Sequence, residues 1–298
     1  MKLHKPSAND LERGKPLPAE TGLSDKAKAQ RPAKSGDAKP DNAHSTLDKI
    51  YGLIPVLEAL RSGRRQIEQI TIAENARHER LRELLKLARL ARVPVCRVPR
   101  AYLDRSLGEN RHQGVVARAA AARYAEADEV IESLAKRIGS ESPPLALGLD
   151  GIEDPRNFGA ILRTAECAGV QAVFVPERRA VGLTDTAAKA AAGAVEYVPV
   201  ARVTNLVRLI QQLKERNIWV VGSAPEGSNV YTQWDWTLPV AIFLGSEGTG
   251  LHRLVRERCD SLVRIPVVGS LESLNVSVAA GVLLYEVLRQ RTKAGWST

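Results

Sequence analysis

Hydrophobic and polar residues recur with helical or strand spacing over residues 47–122. Leucines at 81, 84, 85 and 87 form one stripe of a helix whose outer face is basic. Between Ile67 and Ala73, apolar and polar residues alternate as they do in a half-buried strand. The predicted elements are helices at 54–60 and 78–90 and strands at 67–73, 93–98 and 114–119. Together they predict a small α/β domain.

The remainder of the chain alternates short apolar runs with amphipathic stretches. The apolar runs predict strands at 145–149, 172–175, 195–200, 218–221, 240–244 and 262–265, and the amphipathic stretches predict helices at 158–169, 184–192, 203–216, 251–258 and 275–291. This alternation is typical of a mainly parallel sheet that is covered on both faces. Ligands of such sheets bind beyond the carboxyl ends of the strands, so chemistry is expected in the loops 150–157, 222–229, 245–250 and 266–275.

Residues 1–46 have the composition of a disordered segment. They contain five prolines and many Lys, Ala, Ser and Asp residues, but no aromatic residue, no Val and no Ile. Such a segment buries too little apolar surface to offset its ordering entropy. An acidic stretch followed by Gly and Pro marks 123–142 as a helix and linker. The expected organisation is therefore a basic tail at 1–46, a first domain at 47–122, a linker at 123–142 and a second domain at 143–298.

The basic excess of the chain lies entirely in its first 122 residues. The net charge is +3 over 1–46, +7 over 47–122 and −1 over 123–298. A polyanion is therefore expected to bind the N-terminal part, and the nearly neutral remainder is expected to bind another ligand. The alternative, that these Lys and Arg residues only solvate helix faces, stays open on charge alone.

Composition excludes several other classes of protein. At 298 residues and 44% hydrophobic content the chain can bury a sizeable core, yet it has no apolar run of 18 residues and no secretory h-region. Cysteines 96, 167 and 259 are widely spaced, which is typical of structural thiols in a reducing compartment, so a cytoplasmic location is expected. The five histidines are scattered and give no zinc spacing, so no metal is expected.

A glycine-rich loop at Gly245–Gly250 separates an apolar run from a helical stretch. Its order, G-x-x-G-x-G with a carboxylate at Glu247, matches neither the dinucleotide order G-x-G-x-x-G nor a P-loop. A nicotinamide or ATP enzyme is therefore not expected. Two structural alternatives stay open: the loop is an ordinary glycine-rich connection, and Glu247 is only a cap of the helix that follows.

Two other loops carry polar residues at the ends of predicted strands. Asn157 is placed as the N-cap of a helix, and Arg163 lies six residues later among apolar neighbours. The structural alternative for Arg163 is an ion pair with Glu166 on a solvated helix face. Ser and Asn residues precede the last apolar helix within 265–278, where the alternative is a capping segment. Since all three loops follow strands, their coincidence favours one shared site.

These three loops together resemble the signature motifs of the SpoU (TrmH) family of RNA ribose 2′-O-methyltransferases. The matching positions are Asn157, Gly159, Arg163, Thr164 and Ala165 in the first loop, Gly245, Glu247, Gly248 and Gly250 in the second, and Ile265, Pro266 and Ser273–Ser277 in the third. In addition, residues 50–60 and 112–117 resemble the substrate-binding domain of the RlmB subgroup, which methylates one guanosine ribose of 23S ribosomal RNA. The resemblance covers roughly residues 48–292.

The resemblance implies a fold, a donor and partners. The fold is α/β, with a SPOUT-type parallel sheet that carries a deep trefoil knot and a small substrate-binding domain similar to ribosomal protein L30e. The methyl donor is S-adenosylmethionine, bound by Gly245, Ile265 and Leu274, and the partners are 23S ribosomal RNA and a second copy of the chain, with no membrane. The alternatives are another nucleotide of ribosomal or transfer RNA, and a non-catalytic RNA-binding role.

The resemblance assigns the chemistry to Arg163, with Asn157, Glu247, Ser273 and Asn275 orienting it and the loops. A ribose hydroxyl must lose or share its proton as it attacks the methyl group. Arginine is a poor base because it stays protonated, so Arg163 is expected to stabilise the developing alkoxide. An RNA phosphate is the candidate proton acceptor, and the identity of that acceptor stays open.

Overall fold

The computed structural model of the protein describes residues 47–107, 112–178 and 180–296. The predicted disordered tail at 1–46 lies outside these residues. The described residues form two sheets, one of four strands and one of seven. None of their helices is long and apolar enough to cross a membrane.

The N-terminal unit is a four-stranded mixed sheet with three helices. Its strands are β1 (Leu47–Tyr51), β2 (Ile67–Ala73), β3 (Val95–Val98) and β4 (Val115–Ala120), and its helices are α1 (Leu53–Ser62), α2 (Leu81–Leu90) and α3 (Arg100–Leu107). The strand order is β1-β4-β2-β3, with β4 antiparallel to both of its neighbours and β3 parallel to β2. The leucine stripe of α2 faces inward, since Leu81 and Leu84 are buried in one core with Val56 and Leu57 of α1.

Contacts across this unit explain where it departs from the predicted elements. The second helix begins at Leu81 rather than at residue 78, because residues 79 and 80 form a turn and His78 Nε2 lies 2.9 Å from the Gln113 carbonyl oxygen. Strand β1 and helix α3 were not expected. Strand β1 carries Asp48 and Lys49 in its middle and forms by pairing antiparallel with β4. Pairing with a distant strand is not visible in local periodicity.

The C-terminal unit is a seven-stranded sheet between two layers of helices. Its strands are β5 (Leu145–Asp150), β6 (Ala172–Pro176), β7 (Val200–Val203), β8 (Trp219–Ser223), β9 (Asn229–Val230), β10 (Val240–Gly245) and β11 (Ser261–Arg264), and its helices are α4 (Ala127–Ala135), α5 (Pro155–Cys167), α6 (Asp185–Ala190), α7 (Leu206–Glu215), α8 (Arg253–Arg258) and α9 (Val276–Lys293). The strand order is β7-β6-β5-β10-β8-β11-β9, and every pair is parallel. One apolar core holds α5, α6 and α9 against the sheet, and a second holds α4, α7 and α8. The predicted parallel sheet is therefore confirmed.

The register of the two central strands brings the candidate loops together. Strands β5 and β10 are neighbours, and their last residues, Asp150 and Gly245, are paired. The loops that follow these strands therefore leave the same edge of the sheet side by side. The segment after β11 leaves the same edge, because the sheet is parallel throughout.

The strand predicted at 195–200 is wrong. Residues Ala194–Glu196 form a 3₁₀ turn, and β7 begins only at Val200. The turn starts at Gly193, whose φ is 97°, a left-handed value that favours glycine. Side chains of this turn contact the N-terminal unit, and these contacts outweigh the local preference for a strand. An added Cβ at Gly193 would lie 2.7 Å from Glu58 Cβ, so this turn packs tightly against α1.

Buried polar pairs join the two units. Arg65 Nη1 lies 3.1 Å from Glu196 Oε1, and the side chains of both residues are largely buried. Burial raises the pKa of Glu196, and the Arg65 guanidinium opposes that rise. The Tyr197 hydroxyl donates to Glu58 Oε2 at 2.6 Å, and burial together with this hydrogen bond raises the pKa of Tyr197 to about 12. These paired groups give the contact a specific geometry.

The stretch predicted as a helix and linker does contain a helix. Helix α4 contributes Val130, Ile131 and Leu134 to one core of the larger sheet. The preceding residue Ala125 donates its backbone N–H to the Val200 carbonyl at 2.8 Å. This stretch therefore packs against the seven-stranded sheet as well as connecting the two units.

Candidate active site

The Gly245–Gly250 loop is folded tightly on itself. The Gly250 N–H donates to the Ser246 carbonyl at 2.9 Å, and the Ser246 and Thr249 hydroxyl oxygens lie 2.8 Å apart. A Cβ at Gly245 would lie 2.0 Å from the Gly250 carbonyl carbon, far inside contact distance, whereas a Cβ at Gly248 would meet nothing within 4 Å. Gly245 is thus required by the closure of the loop itself.

Three motif residues from three loops meet at one carboxylate. Glu247 Oε1 accepts a hydrogen bond from Asn157 Nδ2 at 2.9 Å and another from Asn275 Nδ2. It also lies 3.4 Å from the Val276 backbone nitrogen. Asn275 Nδ2 donates as well to Asn157 Oδ1 at 3.0 Å. We call Asn157, Glu247 and Asn275 the carboxylate hub, because their side chains tie the three loops together.

The prediction that Asn157 caps its helix is wrong. Helix α5 begins one turn earlier, with Asp154 as the N-cap and Pro155 at the first helical position; the Asp154 carboxylate accepts from the Arg156 N–H at 2.9 Å. Proline lacks the N–H that a helix start leaves unpaired, so this position suits it. Asn157 therefore has its side chain free for the hub.

The other end of the hub does rest on a helix cap. Asn275 is the N-cap of α9, where its Oδ1 accepts from the Ser277 N–H at 3.0 Å. Glu247 contributes at the same helix start through the Val276 N–H. The alternative that Glu247 caps α8 is not realised, since His252 holds that N-cap position without a side-chain cap. An anion at the start of α9 is also favoured by the helix dipole.

A cleft of about 340 Å³ opens on one side of the glycine loop. It brings together all three predicted donor-binding residues, Gly245, Ile265 and Leu274. Other parts of its wall come from Ser223–Glu226, Ser246–Leu251, Glu272, Ser273, Val276 and Ala279. The wall mixes apolar side chains with loop backbone and a few polar groups, as is usual for pockets that bind small cofactors.

Arg163 stands apart from this cleft. It does not line the cleft, and its side chain is exposed on α5. Among the described residues it has no hydrogen-bond or ion-pair partner, so the predicted alternative of a pair with Glu166 is not realised. The guanidinium is thus available to an anion outside this chain.

Sequence analysis missed a pair of residues on the opposite side of the loop. Asp150 Oδ1 lies 2.8 Å from His252 Nδ1, and Asp150 Oδ2 accepts from the His252 backbone N–H, also at 2.8 Å. Asp150 is buried, with 5% exposure. The available signal was positional: Asp150 ends the first strand of the sheet, and His252 follows the glycine loop. Within the described part of the chain, no group of three His, Cys, Asp or Glu residues could hold a metal ion.

Comparison with known proteins agrees with the motif resemblance. A model of the SpoU rRNA Methylase family matches residues 144–285, and a model of RNA 2′-O ribose methyltransferase substrate binding matches residues 49–125. The chain is 44% identical to the 23S rRNA (guanosine-2′-O-)-methyltransferase RlmB of Pseudomonas aeruginosa, over 83% of this chain and 98% of that protein. The chain belongs to the SpoU rRNA methylase family.

Other members of the family have similar sequences and structures. YacO of Bacillus subtilis, a TrmH family protein whose name leaves tRNA and rRNA open, is 43% identical over 83% of this chain and 98% of its own length. The crystal structure of an RNA 2′-O ribose methyltransferase matches with a TM-score of 0.67 at 28% identity, covering 83% of this chain and 90% of the other. The SpoU methyltransferase AviRb from Streptomyces viridochromogenes, in complex with the cofactor AdoMet, matches with a TM-score of 0.67 at 25% identity, covering 83% and 91%.

Proposed function

We propose that this protein transfers a methyl group from S-adenosylmethionine to the ribose 2′-hydroxyl of a guanosine in 23S ribosomal RNA. The observation that carries the proposal is the carboxylate hub, which holds the three family motifs together beside one cleft. The RlmB relatives of Pseudomonas aeruginosa and Ralstonia nicotianae support the choice of guanosine in 23S rRNA, since this chain spans 98% and 96% of their lengths. Such a substrate supports a cytoplasmic location for the enzyme.

The donor occupies the cleft beside the glycine loop in this proposal. The AdoMet complex of AviRb supports that donor class. Ile265 and Leu274 offer apolar surface and backbone groups to the adenine, while the folded Gly245–Gly250 loop presents its backbone to the remainder of the donor. The sulfonium loses its positive charge as it reacts, so strong anionic stabilisation of the donor would slow the reaction.

Arg163 supplies the positive charge that the attacking oxygen needs. The ribose oxygen becomes more negative as its proton leaves, and a fixed guanidinium nearby lowers the energy of that state. The carboxylate hub contributes by positioning, because three hydrogen bonds to one oxygen hold the loops in one arrangement. An RNA phosphate beside Arg163 would help to anchor the substrate.

Since Arg163 does not line the cleft of its own chain, we propose a homodimer in which it reaches the cleft of the second copy. The exposed apolar side chains Val278 and Tyr285 of α9, each 52% exposed, support a covered face near α5, which packs against α9. Sedimentation should give twice the chain mass. Mixing Arg163→Ala with Gly245→Val chains should then restore methylation, because one site of the mixed dimer has both residues intact. If both residues acted within one chain, mixing would restore nothing.

The N-terminal unit captures RNA in this proposal. The family model for substrate binding covers it, and it carries the +7 excess of charge. On α2, Arg82, Lys86 and Arg89 are exposed along one face, and among the described residues none of them has an ion-pair partner. Replacing all three with Gln should weaken RNA binding and reduce the slope of log affinity against log salt by about 2 to 3.

A matched triple variant provides the control for this charge effect. Lys136, Arg137 and Arg208 are also exposed, but they belong to the C-terminal unit. Gln at these three positions removes the same charge from the chain. Equal loss of RNA affinity in the two triples would mean that net charge alone governs binding, and that α2 is not the capture surface.

The family resemblance also carries two finer features of the fold. These are the trefoil knot near the C-terminus and the L30e-like topology of the N-terminal unit. The α/β fold with its parallel sheet matches the solved SpoU structures. The knot and the L30e-like topology stay predictions.

The substrate class is tested by methyl incorporation from radiolabelled donor into separate RNAs. Purified 23S rRNA, 16S rRNA and transfer RNA are offered at equal nucleotide concentration. Incorporation into 23S rRNA alone is expected. Preferential labelling of transfer RNA would favour the alternative substrate, and no labelling of any RNA with donor bound would favour the non-catalytic role.

A further inference from the structure

A second cleft, of about 570 Å³, lies between the N-terminal unit and the edge of the seven-stranded sheet. One wall comes from Arg64 and Arg65, just before β2, and the opposite wall from residues 198–200 at the start of β7. Arg123 and Tyr124, from the stretch between β4 and α4, lie between these walls. Among the described residues, none lines both this cleft and the donor cleft. We call it the arginine cleft.

The arginine cleft carries positive charge that the protein does not neutralise. Two carboxylates lie near it, those of Glu196 and Asp48, and both face Arg65, at 3.1 and 3.5 Å. In the part of the chain that the structure describes, Arg64 and Arg123 have no ion-pair partner. Both side chains are exposed at the cleft. The cleft therefore favours an anionic ligand.

Tyr124 fixes a further arginine beside the cleft. The guanidinium carbon of Arg202 lies 3.9 Å from the centroid of the Tyr124 ring, and Arg202 Nη2 donates to the Tyr124 hydroxyl at 2.9 Å. The same hydroxyl accepts from the Leu183 N–H at 2.8 Å. Having accepted twice, it has its own proton left to donate, and no described residue accepts that proton. A fixed guanidinium and a phenolic donor are thus both available to an anion.

We infer that the arginine cleft binds the sugar–phosphate backbone of the RNA substrate. One phosphate is held by Arg123, and another by Arg202 together with the Tyr124 hydroxyl. Arginine suits this ligand because its planar guanidinium can donate two parallel hydrogen bonds to one phosphate. The inference rests on the proposed function, which supplies RNA as the ligand.

The position of the cleft favours RNA over another anionic partner. Arg123 and Tyr124 fall within the match to the substrate-binding family model, and Arg202 falls within the match to the SpoU model. An RNA that bridges the two units would therefore meet residues of both at this place.

The segment that ends at the cleft also leads to the helix of Arg163. Leu183 lines the cleft, and two residues earlier the Val181 N–H donates to the Ile152 carbonyl at 2.9 Å, in the loop before α5. The helix that follows this segment, α6, packs closely on α5, since a Cβ at Gly159 would lie 2.5 Å from a carbonyl oxygen of α6. Helix α5 carries Arg163. Backbone held in the cleft therefore lies between the α2 surface and the helix assigned to the chemistry.

The test measures the affinity of the full-length protein for 23S rRNA, without donor, at a series of salt concentrations. Replacing Arg123 and Arg202 together with Gln should lower the slope of log affinity against log salt by about 1.4 to 1.8, because two phosphates are no longer neutralised. At ~0.15 M salt the same counterion effect, taken relative to ~1 M, amounts to about a 15- to 30-fold loss of affinity. Gln at Lys136 and Arg137, exposed elsewhere on the C-terminal unit, removes the same charge and should leave affinity close to wild type.

Two single variants separate a built site from diffuse charge. Arg123 is exposed and unpaired among the described residues, so Arg123→Gln should keep the wild-type thermal midpoint and lower the salt slope by about 0.7 to 0.9. Tyr124→Phe keeps every charge, so the slope should stay, but affinity should fall about 3- to 10-fold because the hydroxyl neither fixes Arg202 nor donates. Arg64 is left unchanged, since its Nη1 donates to the Tyr197 carbonyl at 2.8 Å and joins the two units.

The possible outcomes distinguish this inference from the proposed function. Wild-type affinity and slope in the variant with Gln at Arg123 and Arg202 would overturn the inference and leave an acidic protein segment as the partner of the cleft. Equal losses in the two double variants would also overturn it, because overall charge would then govern binding. RNA binding that depends on Arg123 and Arg202, without methyl transfer by wild type, would support the inference and count against the proposed function.

Discussion

Replacing Gly245 with alanine is expected to weaken donor binding by displacing the loop that lines the donor cleft. The added Cβ would lie 2.0 Å from the Gly250 carbonyl carbon and 2.2 Å from the Leu251 nitrogen. Ordinary contact begins near 3.4 Å, so the Gly250 backbone must retreat by about 1.4 Å. Overpacking of this kind costs about 1–3 kcal/mol. If the variant must regain the wild-type loop conformation to bind donor, this energy corresponds to about a 5- to 150-fold loss of affinity for the donor.

Calorimetric titration with S-adenosylhomocysteine measures this loss, and circular dichroism checks that the sheet stays folded. Gly248→Ala adds its Cβ in open space in the same loop and should leave the thermal midpoint unchanged. Gly269→Ala lies in open space outside the cleft and should leave both stability and donor affinity unchanged. A folded Gly245→Ala protein that binds donor as tightly as wild type would refute the steric argument and remove this loop from the donor site.

Variants at three other residues probe catalysis, the fold and the contact between the two units. Arg163→Ala should bind donor normally but slow single-turnover methyl transfer by about 10²- to 10³-fold. Arg163→Lys should restore little of this rate, because lysine lacks the planar guanidinium group of arginine. If Arg163→Ala kept more than about a tenth of the wild-type rate, the catalytic role of Arg163 would be contradicted. Arg291 is buried and donates hydrogen bonds to four backbone carbonyls. Arg291→Met should therefore lower the free energy of unfolding, measured in urea, by about 3 kcal/mol or more. A loss below about 1 kcal/mol would contradict this expectation. The pKa of Tyr197 is raised from 10.0 to about 12. The contribution of Tyr197 to stability is therefore complete below pH 10 and is lost as the pH rises towards 12. Tyr197→Phe should remove this part of the fall in thermal midpoint at alkaline pH, and an unchanged fall would exclude Tyr197 as its source.

Periodicity predicted the parallel sheet because each buried strand is a continuous apolar run. Strands β5, β6 and β10 were found within one or two residues, since almost all of their side chains are buried. The strand predicted at 195–200 failed because its apolar residues pack in a 3₁₀ turn against another part of the chain. Glu196 is held there by Arg65, a partner 131 residues away in sequence. No local pattern contains that information.

The motifs predicted that the three loops share one site, but they did not predict how each side chain is placed there. Asn157, Glu247 and Asn275 do meet, although they are up to 118 residues apart. Asn157 does so as a hub residue rather than as a helix cap, because Asp154 and Pro155 start the helix one turn earlier. Arg163 does not line the proposed donor cleft of its own chain, and the linear order of the motifs cannot show this separation. The Asp150–His252 pair was missed because its hydrogen bond joins residues that are 102 positions apart in the sequence.

The most direct test of the account is the chemical identity of the methylated product. Unmodified 23S rRNA is incubated with the full-length protein and labelled S-adenosylmethionine, digested to nucleosides and analysed by mass spectrometry. The account predicts a single new product, guanosine carrying the methyl group on its ribose 2′-oxygen, formed by wild type and formed about 10²- to 10³-fold more slowly by Arg163→Ala. A methyl group on the base, or the same yield from both proteins, would contradict it.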